Sequence, residues 1–186
     1  MKRLLAFASL LLVACLISGI YGAVHNQVSY TVSHEYFTKF KFQQFQISPH
    51  LHDRWGAALV GWQASWWMGL IIGCFLIPAG LLLRHDRAFV IAVLRSFGVV
   101  LGTAALIGSA ALLISTFTVV PRWDGAWIFR GQVILDDAPF RRVAVMHNFS
   151  YVGGLIGIFT GFASIVRAFL AENAASHDTS PESRIE

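Results

Sequence analysis

Four stretches of the chain carry no Asp, Glu, Lys or Arg and stay apolar for most of their length: residues 4–24, 56–83, 96–120 and 149–166. Each is long enough to cross a hydrocarbon core about 30 Å thick, for which roughly 20 helical residues suffice. Small residues recur within them at helical spacing: Ala14, Ser18 and Gly22; Gly61, Ser65, Gly69 and Gly73; Gly98 and Gly102; Gly153, Gly157 and Gly161. Inside lipid the hydrophobic effect does not pull helices together, so such stripes predict association through close backbone approach.

Between the first two runs the period changes. "VSYTVS" at 28–33 alternates strictly, and "KFKFQQFQI" at 39–47 alternates with one extra residue at Gln43-Gln44. Period two argues for strands and a doubled position for a β-bulge, so the pattern favours a hairpin with "HEYFT" as its turn. A short helix through Tyr36, Phe37 and Phe40 is the competing reading. Ser48-Pro49 then predicts the start of a second helix that runs unbroken into its span. The segment "AWIFRGQVIL" at 126–135 again has strand character, and Asp137-Ala138-Pro139 can open a helix that continues through His147 into the fourth span. Two strand-rich segments on one side predict a small shared sheet capping the bundle.

The predicted fold class is therefore an all-α membrane protein, a four-transmembrane-helix bundle with a small outer β-hairpin or strand-rich cap. Its transmembrane domain covers residues 1–170, with outer segments at 25–55 and 121–148. The tail, 171–186, is small and polar and is expected to be disordered on the inner side.

Composition supports this and narrows the function classes. Hydrophobic residues make up 56% of the chain, charged residues 13%, and the mean hydropathy is +0.62, as in a multi-pass membrane protein. The net charge of +4 does not point to nucleic acid, because the Lys and Arg are scattered at span ends, where they anchor a chain to lipid headgroups. With the N-terminus inside, the 14 bases divide evenly, and Arg122 and Arg184 fall on opposite sides. The tie is broken by Met1-Lys2-Arg3 before the first span and by "RHDR" in the short loop at 84–87. Both termini are expected to be cytoplasmic, in the inner membrane. The first run resembles a signal peptide in its flanks but lacks a clean cleavage site and reads as a retained anchor. Cys15 and Cys74 lie in apolar runs as small fillers.

The run "IYGAVHNQVSYTVSHEYFTKFKF", residues 20–42, is similar to a pattern in uncharacterised bacterial multi-pass membrane proteins: Gly, then His-[Asn/Asp]-Gln, then a β-prone run and Glu-Tyr-Phe-Thr. Gly22, His25, Asn26, Gln27, Glu35, Tyr36, Phe37 and Thr38 match it, while His34 replaces a more usual proline. The resemblance covers about an eighth of the chain. It implies a bacterial inner-membrane setting and no particular activity.

Known catalytic signatures are missing from the sequence, and no acidic residue lies deep in a span, which argues against an ion-coupled transporter. The expected role is thus non-enzymatic: a structural, assembly or partner-binding component, embedded in the lipid bilayer, that meets a membrane-protein partner through Tyr36, Phe37, Phe40 and Phe42. No cofactor is required by that reading. The alternative is a metal- or haem-binding membrane enzyme or carrier, with His25, His52, His147 and Glu35 as ligands near the outer interface. His50 and His52 cannot both face one ion from a helix, being about 200° apart. Against the metal reading, interfacial histidines commonly bond loop carbonyls and lipid phosphates. A third alternative, a small transporter, rests on Gln63 and the tryptophans of "GWQASWWMG".

Overall fold

Long uncharged runs have one way to satisfy their backbone without water, which is to bond within themselves as helices. In the computed structural model, which describes residues 2–121 and 127–178, they do so as α1 (Lys2–Val32), α2 (Arg54–Gly80), α3 (Asp86–Thr118) and α4 (Asp137–Asp178). All four are long and apolar enough to cross a membrane. Arg122, Arg184 and the tail beyond residue 178 lie outside the described residues.

The helices pack as two antiparallel pairs, α1 with α2 and α3 with α4. The predicted small-residue stripes of α1, α2 and α4 lie in the seams, whereas that of α3 does not. A side chain at Gly22 would run into the Gly61 carbonyl, and one at Gly61 into that of Gly22, so the two backbones are in direct contact. Gly69 meets Ala14 in the same way farther along. In the second pair, Gly153 lies against Ala104 and Gly157 against Val100. Gly98 and Gly102 take no part, since open space surrounds the position of either missing side chain. Contact between the pairs is concentrated at their two ends. At one end Leu76, Ile77, Phe89, Val93 and Ile165 form a buried apolar core. At the other, a second core of Tyr36, Phe37, Phe42, Ile134, Phe140 and Val143 joins the pairs beneath a cap.

The cap differs from the expected hairpin. Residues 28–32 belong to the last turns of α1, and 34–44 continue as a helical turn (His34–Tyr36), a π-helical turn (Phe37–Lys41) and another helical turn (Phe42–Gln44). The polar half of the alternating "VSYTVS" is satisfied inside the helix. Ser29 Oγ donates to the His25 carbonyl at 3.2 Å and Thr31 Oγ1 to the Gln27 carbonyl at 2.9 Å. Ser33, with extended backbone, breaks α1 and caps the next turn by accepting from the Tyr36 amide. In the π turn the Phe42 amide bonds the Phe37 carbonyl five residues back. Phe37 and Phe42 thereby stack on one inward face with ring centroids 5.8 Å apart. The doubled position Gln43-Gln44 thus lies in the helical turn that follows the π turn and forms no β-bulge. The competing helix through Tyr36, Phe37 and Phe40 is the one observed.

Strands do occur in the second segment. Trp127–Phe129 (β1) pairs antiparallel with Gln132–Ile134 (β2), so this hairpin closes on itself and no sheet is shared with residues 28–47. Arg130 and Gly131 both have positive φ, 50° and 77°, the two-residue turn that matches strand twist.

Two further boundaries shift. Pro49–Leu51 forms only a 3₁₀ turn, and α2 starts afresh at Asp53, whose carboxylate accepts from the Trp55 amide at 2.8 Å and the Gly56 amide at 3.1 Å. Helix α4 passes the expected start of the disordered tail at residue 171 and runs to Asp178. It is held there because the Glu172 carboxylate accepts from the amides of Arg84 and His85 and pairs with His85 Nδ1 at 2.6 Å. Arg3 bonds Asp86 at 2.7 Å, so the α2–α3 loop is tied to α1 as well.

Two variants test this packing. Gly61→Leu is expected to lower stability in detergent by about 1–3 kcal/mol or more, because neither backbone can retreat from the seam. Gly102→Leu, facing open space, should leave the melting temperature within a degree or two of the parent.

Candidate functional site

Because the pairs are zipped internally and joined mainly at their ends, space remains between them beneath the cap. A cavity of about 80 Å³ lies there, walled by all four long helices and roofed by Lys41 and Phe45 of the cap. Its polar lining includes Ser18, Tyr21, His25, Ser65, His147 and Ser150, and its floor is apolar, with Ile72, Val100 and Leu101. Among the described residues, no Asp or Glu lines it.

The histidines of α1 and α4 come together here. His25 and His147 meet edge to face with ring centroids 5.0 Å apart, and His147 stacks on Tyr36 at 5.2 Å. The Ser29 hydroxyl gives its proton to the His25 carbonyl, so it accepts from His147 Nε2–H at 3.1 Å. Other polar atoms on the wall have no such partner. Among the described residues, the buried Tyr21 hydroxyl, His25 Nε2 and Ser150 Oγ make no hydrogen bond. Tyr21 and Ser150 face each other without reaching hydrogen-bond geometry. Buried polar atoms are rarely left alone, and three around one void mark a place where something polar belongs.

Gly154 adds to the space. It is buried, yet a side chain added to it would meet nothing within 4 Å. Its missing side chain is therefore part of the opening into the cavity that it lines.

Lys41 stands at the cap end. Its ammonium lies 4.5 Å from the Phe40 ring centroid and is bonded to Gln44 Oε1 at 3.0 Å. Arg130 sits over the same Phe40 ring at 5.2 Å. Burial, and then the neighbouring Arg130 charge, push the Lys41 amine down to about 8.

The other sequence candidates are placed elsewhere. Tyr36, Phe37 and Phe42 are not an exposed surface, being 4%, 0% and 1% accessible, and Phe40 is half-buried against Phe129 at 5.1 Å. These rings hold the cap to α4, since Tyr36 also meets Phe140 at 5.1 Å. Glu35 does not approach the histidines as a ligand. Its carboxylate accepts from the Leu135 and Asp136 amides at 3.1 and 2.8 Å, fastening the cap to the end of the hairpin. His52 bonds the Ile47 carbonyl at 3.0 Å and stacks on Phe42 at 4.6 Å, a role in holding the turn. Of the expected metal set only His25 and His147 converge, and among the described residues no three His, Cys, Asp or Glu gather around one point. A bis-histidine haem needs the imidazoles on opposite faces of the macrocycle, whereas these two rings touch. Gln63 is exposed on α2 and does not line the cavity. Tyr21, Ser150 and Gly154 were not candidates by sequence. The only signal for them was a helical spacing shared with His25 and His147.

The Glu35 clasp can be tested directly. Glu35→Ala should speed hydrogen exchange at the Leu135 and Asp136 amides by about 10- to 100-fold, the loss of hydrogen bonds to a charged group, read by mass spectrometry of peptides across 130–140.

Comparison of the chain with known protein families, with curated proteins and with solved structures finds no match.

Proposed function

We propose that this chain is a non-enzymatic integral protein of the bacterial inner membrane, with both termini cytoplasmic, that holds a small amphipathic molecule between its two helix pairs. The observation that carries the reading is the cavity beneath the cap, with its three unpartnered polar atoms and the opening at Gly154. A mostly apolar void with a few convergent polar groups is the usual form of a small-molecule site. Binding is favoured over catalysis by the make-up of the wall. His25 and His147 have no carboxylate beside them to orient either ring as a base, and no activated nucleophile adjoins them. With this orientation the cavity opens in the outer half of the bilayer, one to two helical turns below the cap.

A membrane-protein partner at the cap is a second reading. It no longer rests on the buried aromatic residues but on Ile128 and Leu135 of the hairpin region, which are 68% and 81% exposed.

The parent protein, purified in mild detergent and analysed by lipid extraction and mass spectrometry, should carry a stoichiometric amphiphile. Gly154→Leu, whose Cβ would meet nothing within 4 Å and whose side chain would take up cavity space, should lower its content by at least about tenfold, with the melting temperature of the ligand-free protein read alongside to tell loss of ligand from loss of fold. Equal ligand content in both proteins would sink the proposal. A cap variant, Ile128→Ser with Leu135→Ser, should leave the ligand in place and would release a partner bound at the hairpin.

A further inference from the structure

Building on the reading of the cavity as a ligand site, we infer that its ligand is a small amphiphile with an anionic head, a carboxylate or a phosphate, whose head meets Lys41 and whose apolar part lies between the helix pairs.

The lining of the space argues for a polar head and an apolar part. A second void of about 10 Å³, no larger than a water needs, lies next to the cavity on the side away from the cap and shares Ser18, Ile72, Val100 and Leu101 with it. The polar atoms are graded away from the cap. Lys41 and His147 are near the cap, Tyr21 and Ser150 about a turn deeper, Ser18 deeper still, and then only apolar side chains.

The charge argues for an anion. Among the described residues, Lys41 is the only Lys or Arg lining the cavity, and nothing acidic lines it. Of the three N–H donors on its ammonium, Gln44 takes one, and aromatic faces at 4.5 to 5.8 Å surround the rest. Arg130 adds a second positive charge beyond Phe40. A cation held in such surroundings attracts an anion far more strongly than it would in water, because the intervening medium screens it less. The depressed amine is the counterpart of this arrangement, as the ammonium lacks the anion that would stabilise it. Deeper in, the Tyr21 and Ser150 hydroxyls and His25 can each donate to the oxygens of such a head, which would satisfy the atoms now without partners. A neutral head, such as an alcohol, would use those donors and leave Lys41 unpaired.

Native mass spectrometry of the purified full chain, titrated separately with dodecanoate, lauroyl lysophosphatidate and dodecanol, tests this. One molecule of at least one of the two anions should bind, with dodecanol weaker by at least about tenfold. Comparing the anions tells a carboxylate head from a phosphate. Lys41→Gln should weaken the bound anion by at least about tenfold, and Lys41→Arg should keep it within about threefold, since Arg retains the charge. The inference is overturned if neither anion binds, if dodecanol binds as well as both, or if Lys41→Gln leaves anion affinity unchanged. Gly154→Leu separates the two levels of the argument. If it abolishes dodecanol binding that is as tight as anion binding, the cavity stands as a site and the anionic head does not. If it changes no binding at all, the cavity reading itself falls.

Discussion

The contact on which the structure depends is between two glycines. Gly22 and Gly61 bring the backbones of α1 and α2 against each other, and the related positions Ala14 and Gly69 extend the seam. In lipid, apolar side chains gain little by meeting one another rather than acyl chains, so dispersion contacts at such close approach carry the association. The α3–α4 seam works in the same way at Gly153 and Gly157. Most small residues lie in these two seams, although Gly80 and Gly161 also face the other pair. Bulkier side chains fill the space between the pairs at their two ends, and the cavity lies between those two cores.

The cap shows how one run of sequence serves several purposes. Its aromatic rings pack inward on Phe140, its Glu35 carboxylate grips the backbone after β2, and its π turn puts Phe37 and Phe42 on one face. Lys41 ends that turn, which sets its ammonium at the roof of the cavity rather than in solvent. The charge at the roof thus follows from a turn with one residue too many for an α-helix, and the Glu35 clasp from the helical turn just before it.

The four long helices and their seams could be read from the sequence, because runs without charge and glycines at helical spacing have few other uses in lipid. The cap could not. Alternation of Val, Tyr and Phe with Ser, Thr and Lys is what an exposed strand requires, but hydroxyls can bond the carbonyl four residues back and make the same letters helical. At 126–135 the strand character was legible, but not that the two strands would pair with each other through a turn at Arg130-Gly131 instead of with the segment at 28–47. As for the site, the convergence of His25 and His147 followed from antiparallel helix ends at one height. Glu35 and His52 were misplaced with them, since charge and chemistry in a sequence do not tell a ligand from a side chain already bound to backbone. Gly154 was invisible as a site residue because what it contributes is an absent side chain.

The ties at the end away from the cap give the two pairs a fulcrum. Arg3 and Glu172 bind the α2–α3 loop from both sides, while the cap end is held by ring contacts and the Glu35 clasp. Glu172 and His147 are 25 residues apart on α4, about 37 Å along the helix axis. A swing of about 5° between the pairs about that fulcrum would therefore part the histidines by about 3 Å, roughly the width of a methylene chain.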